Sequence, residues 1–134
     1  MPTTPKLNEN SLKILRGKNF AVLGTLNRDG SIQLTPVWVD VDGKNVFVNT
    51  AIGRVKERNI ARDARVAISV PEWSNPYNYV SVQGTVERKI TGQEAEDHID
   101  KMAKKYTGAD KYSNRKPGEK RIMLVIRPDR IIQR

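Results

Sequence analysis

Cysteine is absent from this 134-residue chain, and histidine occurs once, at His98. The first absence removes disulfide frameworks, iron–sulfur clusters, thiolate zinc sites and cysteine nucleophiles. The second leaves a Ser–His–Asp hydrolase a single histidine to use and excludes a multi-histidine metal site within one chain. Aromatic residues are only 6% of the total. No apolar run approaches the ~20 residues of a membrane span, and the N-terminal MPTTPKLNEN has no apolar core of the secretory kind. A cytoplasmic protein with neither metal nor membrane partner is the expectation.

What the chain does have is positive charge. Lys and Arg number 24 against 15 Asp and Glu, a net +9, with a pI near 10.0. Such a field attracts polyanions, whether nucleic acid, an acidic membrane face or a phosphorylated small molecule, or it simply keeps a surface solvated. The position of the charges has to decide.

The length suits one domain spanning 1–134, with residues 1–6 as a loose arm. A short helix is predicted from Leu7 to Leu15, with Leu7, Ile14 and Leu15 inward and Gly17 ending it. From Phe20 the period becomes two, with Ala21, Leu23 and Thr25 on one face and Phe20, Val22 and Gly24 on the other. Turns at Asn27–Ser31 and Asp42–Gly43 divide this region into a three-strand meander whose middle strand runs from Ile32 to about Val41. Arg54–Arg62 reads as a helix, Arg65–Val70 as a strand, Pro71–Pro76 as a loop, and Tyr79–Ile90 as a long strand with Gly84 at a bulge or close approach. Thr91 and Glu94 form a capping box for a helix carrying Ala95, Ile99, Met102, Ala103 and Tyr106. His98 falls off that stripe and is expected to face solvent. A polar stretch from Thr107 to Lys120 precedes a last strand, Arg121–Ile126, which Ile131–Ile132 extends. About six strands joined by short turns make a mainly β (α+β) antiparallel barrel with peripheral helices.

Three segments carry candidate chemistry. At the strand-to-helix junction, bare amides of a helix start, Gly53, Arg54 and Lys56 make a phosphate cradle; the same residues equally suit a solvated helix end. Pro36 cannot donate to a sheet ladder and so marks an edge or bulge. Around it, Gln33, Thr35 and Trp38 suit the hydrogen-bonding edge and apolar face of a flat heteroaromatic ring. Trp73, Tyr77 and Tyr79 cluster in a proline-flanked loop, as a lid over the core or as a stacking surface.

The strand G-T-L-N-x-D-G-S-x-Q-L-T-P-V-W, the segment N-T-A-x-G-R-x-K-x-R-N with D-x-R-V-A after it, and the late V-x-G-T-V-E together resemble a known family. From about Phe20 to Arg127 the chain is similar to the FMN-binding split β-barrel oxidoreductases related to pyridoxamine 5′-phosphate oxidase, in the branch that uses coenzyme F420. The resemblance implies a six-stranded split barrel and a homodimer with two cofactor sites at the subunit interface. It implies that Arg54 and Lys56 hold the cofactor phosphate with Thr50, Ala51 and Asn59 around it, and that Gln33, Thr35, Pro36, Val37 and Trp38 border the ring. Tyr77 and Tyr79 would close the pocket from the other subunit, and they are also the candidate proton donors. The implied chemistry is hydride transfer from the reduced deazaflavin to an electron-poor small molecule, where the protein positions the reactants and excludes water. The chain lacks the Arg-x-Trp-type ending of the phosphate-ester oxidases and closes on Gln133–Arg134, which argues against pyridoxamine phosphate as substrate. FMN is the alternative cofactor, since its phosphate would lie in the same place.

Charge adds one expectation independent of the family. Lys104–Arg121 holds seven Lys and Arg against two acidic residues, so Lys111, Arg115 and Lys116 are expected to meet the oligoglutamate tail of F420. Two rivals stand beside the oxidoreductase: a basic barrel that binds single-stranded nucleic acid through stacking platforms, and a cofactor carrier without turnover.

Overall fold

The computed structural model describes residues 5–134, so most of the expected arm at 1–6 lies outside the described residues. The elements run α1 (Glu9–Arg16), β1 (Ala21–Leu26), β2 (Ile32–Val37), β3 (Asp40–Val41), β4 (Val46–Ala51), α2 (Val55–Arg62), β5 (Arg65–Glu72), β6 (Asn75–Thr91), α3 (Gln93–Thr107) and β7 (Arg121–Ile132). All strand pairs are antiparallel, in the order β2-β1-β5-β6-β7-β4-β3. The mainly β class with peripheral helices is as expected.

Seven strands replace the expected six because the segment from Ile32 to Val41 breaks in two. Its first part pairs with β1 and its second with β4. The two parts therefore lie at opposite edges of the sheet while only Trp38 and Val39 separate them in the chain, and the sheet curls into a barrel split at that seam. Pro36 sits just before the break, on the edge strand, where its missing donor costs no ladder bond. The backbone of Val39 is held instead by side chains from α3. Its N–H donates to Tyr106 Oη (3.1 Å), and its carbonyl accepts from Lys105 Nζ (2.7 Å).

Strand alternation fills the barrel. Leu23, Val46, Val48, Ile68, Val80, Val82, Leu124 and Ile126 are buried inside it, with Ile14 and Leu15 of α1 packed against them. Each such side chain contributes roughly 1.5–3 kcal/mol by leaving water. Asn8 caps α1 by accepting from the Ser11 N–H (2.8 Å), and Gly17 ends it. Gly84 is a close approach, as expected: the β6–β7 register shifts beside it, and a Cβ there would come within 2.6 Å of the Arg127 carbonyl oxygen.

Three expectations are corrected. The Pro71–Pro76 loop shrinks to a turn at Trp73–Ser74, because the β5–β6 register shifts at Pro71/Glu72 and lets the hairpin continue past the proline. The capping box does not form. Thr91 stays in the ladder opposite Ile122, and Gly92, at φ 79°, makes the turn into α3 with no side-chain cap. His98 is buried, at 8% exposure, because α3 presses a wider face on the sheet than its apolar stripe and finds polar partners there in Asp40 and Asn49.

Candidate functional site

The junction between β4 and α2 lies beside the start of β7, since Ala51 pairs with Arg121. α3 and the 108–120 loop flank the same place. Between them is a recess of about 300 Å³ lined by Pro36, Val37, Trp38, Arg54 and Lys56, which were expected there, and by Phe20, Asn49, Ile99, Tyr112, Asn114 and Arg121, which were not.

One wall is aromatic. Trp38 stacks on Tyr106 (ring centroids 5.3 Å apart, planes 5° apart) and meets Tyr112 edge-on at 6.0 Å. Tyr106 in turn packs against Phe20 at 5.5 Å. Burial pushes the Tyr106 hydroxyl up to about 12, so it stays protonated and donates to the Asn19 carbonyl at 2.8 Å. Lys105, beside it, is pushed down to about 8 by the same burial, although Asp40 pulls the other way. These groups hold the wall in place from behind.

The opposite wall is cationic. Arg121 is only 3% exposed. Its Nε donates to Asn49 Oδ1 (2.9 Å), and its guanidinium lies over the Tyr112 ring at 5.1 Å. Its Nη1 is 3.3 Å from Glu119 Oε1, but the pair is too poorly aligned for a hydrogen bond, which leaves Nη1 without a hydrogen-bond partner. Arg54 reaches the same carboxylate at 3.0 Å. Lys56 has no carboxylate in ion-pair range among the described residues. Burial, then Arg54 and Arg121, lowers its affinity for a proton. Arg54 and Arg121 thus share one carboxylate while Lys56 has none in range among the described residues, in a half-buried place where unbalanced charge is costly. The N-terminus of α2 adds its dipole, with Arg54 at the N-cap making no side-chain cap; the Gly53 N–H is already taken by Glu57 Oε2 at 3.1 Å. The arrangement fits an anion joined to a flat ring.

Other expected site residues lie elsewhere. Thr50 points into the barrel with Val46 and Val48, so the alternate residue, Asn49, lines the recess in its stead. Asn59 is buried against the β1–β2 hairpin. Its amide donates to Thr25 Oγ1 (3.1 Å) and Asn27 Oδ1 (2.9 Å), and its Oδ1 accepts from Arg62 (2.7 Å). Gln33, Thr35, Ala51 and Gly53 do not line the recess, nor do Tyr77 and Tyr79, of which Tyr77 is 80% exposed. Arg115, expected to reach outward, is bound to α3 through Asp100 (2.8 Å) and Glu96 (3.4 Å). Asp100 also accepts the Tyr112 N–H at 2.8 Å, which ties the 108–120 loop to the helix.

Behind the cationic wall a polar chain runs to Asp40. Burial alone would raise this carboxyl, but hydrogen bonds from His98 and the Val41 N–H, with Lys101 nearby, outweigh it and hold the pKa to about 2. A folded pKa below the ordinary 3.8 means the contribution is full above about pH 4 and is lost as the pH falls toward 2. Asp40→Asn is expected to remove roughly 1–2 kcal/mol of that acid-dependent stability, partial exposure considered. Urea denaturation between pH 5 and 2 measures it; an acid limb identical to that of the unsubstituted protein contradicts it.

A split barrel whose recess sets cations opposite aromatic rings matches the fold of the flavin-binding split-barrel oxidoreductases. The chain belongs to the pyridoxamine 5′-phosphate oxidase family, whose pattern it matches over residues 7–134. Among solved structures it is similar to an F420 reductase, with 27% identity and a TM-score of 0.81 over 96% of this chain and 100% of that one. A conserved hypothetical protein from Mycobacterium tuberculosis shares the fold at 20% identity and a TM-score of 0.69, over 98% of this chain and 86% of that one. HupZ from Group A Streptococcus shares it at 14% identity and a TM-score of 0.67, over 93% and 91%.

Proposed function

We propose that this protein is a coenzyme F420-dependent reductase that transfers a hydride from the reduced deazaflavin to an electron-poor organic molecule. One observation carries the reading: Arg54, Lys56 and Arg121 line a recess whose other wall is Trp38, and among the described residues only Glu119 lies within ion-pair range of any of the three. Arg54 and Lys56 would hold the phosphate, with Arg121 as a third cation behind it. Pro36, Val37 and Trp38 would border the ring and exclude water from it. The bound cofactor would supply the hydride, and the proton that the reduced substrate takes up would come from solvent at the mouth of the recess or from Tyr77 or Tyr79 of a second subunit. The similarity to an F420 reductase over the whole length favours deazaflavin over FMN. Arg54, Lys56 and Arg121 line one recess of about 300 Å³ together with Trp38, which speaks for a small ligand over single-stranded nucleic acid.

The working unit in this reading is a homodimer. A recess of about 300 Å³ is at the small end for a cofactor site, and Tyr77 and Tyr79, which do not line it within the chain, would close it from another subunit. The outer face of β1, β2, β5 and β6 carries an apolar groove with Val22, Ile32 and Leu34, the last two 67% and 65% exposed. A second copy would cover it. Of the expected tail contacts Lys111, Arg115 and Lys116, Arg115 is tied to α3 through Glu96 and Asp100, which leaves Lys111 and Lys116 to meet the tail. Calorimetric titration tests the reading. Coenzyme F420 is expected to saturate at one per chain, with a lower Kd than FMN. Tighter FMN binding would move the protein to the flavin side of the family, and saturation by an oligonucleotide alone would overturn the proposal.

A further inference from the structure

The orientation of Asn49 is fixed by its partners. Its Nδ2 donates to the Ala95 carbonyl (2.9 Å), and its Oδ1 accepts from Arg121 Nε (2.9 Å). The second Nδ2 hydrogen faces His98 Nδ1 at 3.1 Å. That ring nitrogen must present a lone pair, so the imidazole proton resides on Nε2 and is donated to Asp40 Oδ2 at 3.1 Å. Every polar atom from Asp40 through His98 and Asn49 to the Arg121 Nε is thereby matched, donor to acceptor. The chain ends at a guanidinium in the wall of the recess.

We infer that His98 is a positioning residue of this site: neutral and protonated on Nε2, it orients Asn49 and, through Asn49, the Arg121 guanidinium. The inference rests on the reading of the recess as the cofactor-phosphate site. A proton added to Nδ1 sets a donor against the Asn49 amide donor. Rotation of that amide relieves the clash only by turning Nδ2 toward Arg121 Nε, again donor against donor, and by giving up the bond to Ala95. Arg121 then loses the contact that aims it. The charged and polar groups around His98 are Asp40 from β3 and Asn49 from β4, with Phe47 of β4 edge-on at 6.4 Å. Lys101 of α3 bears on it through Asp40, at 3.3 Å from that carboxylate, as does Lys105 at longer range. Arg121 of β7 stands beyond Asn49.

Glutamine is the informative substitute. Its amide oxygen can accept from Asn49 and its amide nitrogen donate to Asp40, which reproduces the neutral ring without a group that titrates. Coenzyme F420 affinity of the unsubstituted protein is expected to fall about tenfold more between pH 7.5 and 5.5 than that of His98→Gln, while the two agree within about threefold at pH 7.5. Any ionisation of the ligand acts equally on both proteins, so the difference is the readout. Nitrogen-15 NMR of the cofactor-free protein at pH 7.5 is expected to find the His98 proton on Nε2. Equal pH slopes, or a proton on Nδ1, would overturn the inference. If F420 does not bind at either pH, the phosphate reading fails; a proton on Nε2 would still uphold the hydrogen-bonded orientation of Asn49 and Arg121 by His98, whereas a proton on Nδ1 would overturn that as well.

Discussion

Replacing both Arg54 and Lys56 by alanine is expected to weaken coenzyme F420 binding by at least ~3 kcal/mol, roughly 150-fold, through loss of two charge-assisted contacts to phosphate. The same substitution should leave the folded protein nearly as stable. Lys56 is half-buried beside two other cations, and that surrounding disfavours its charge, so its removal relieves strain in the unliganded protein. Arg54 gives up one partly exposed ion pair to Glu119, which keeps Arg121 as its partner. A residue that contributes little to stability and much to binding is the pattern expected of a ligand site. Calorimetric titration alongside urea denaturation separates the two effects. Affinity within a few-fold of the unsubstituted protein would mean that the ring alone anchors the ligand, or that the ligand sits elsewhere.

Arg121 behaves oppositely. Its guanidinium is buried against Asn49, Tyr112 and a Glu119 side chain that is itself almost inaccessible. Arg121→Met leaves that carboxylate with only Arg54, and an incompletely compensated buried charge costs about 3–5 kcal/mol. Adding Glu119→Gln should recover a large part of the loss, because the uncompensated charge leaves with it; the two substitutions are then strongly non-additive. Urea denaturation of the two single variants and the double variant measures this. A loss under about 1 kcal/mol for Arg121→Met, or simple additivity, would show that the buried pair does not hold this corner together.

The meeting of Arg54, Lys56 and the Pro36–Trp38 segment at one recess is legible in part because both segments depend on local chemistry. Arg54 and Lys56 follow Gly53 at a change of period from two to 3.6, and Pro36 announces an edge by lacking a donor. Gly84 was legible for the same reason: only a residue without a side chain tolerates the Arg127 carbonyl so near. Asn49 carries a signal in its spacing. In Val46-x-Val48-x-Thr50 the period of two sends Thr50 inward and Asn49 outward, so the face was readable even though the target was not. Arg121 and Tyr112 had no such signal. A cation opening an apolar strand reads as a solvated end, and its burial follows from pairing with Ala51, seventy positions away. His98 was misread because its stripe counts only apolar neighbours, whereas Asp40 and Asn49 reach it from strands distant in the chain. The break between β2 and β3 was equally hidden, since it is the α3 side chains that hold Val39 out of the ladder.

The central proposal is that the β4–α2 junction and the start of β7 grip an anion. Its most direct test pairs ligands that differ in phosphate, FMN against riboflavin and F420 against phosphate-free deazaflavin, titrated into the unsubstituted protein and the Arg54/Lys56 double alanine variant. The phosphate-bearing member of whichever pair binds should be favoured about 100-fold or more in the first protein, with that preference collapsing to a few-fold in the second. Equal affinity for both members in the unsubstituted protein would contradict it.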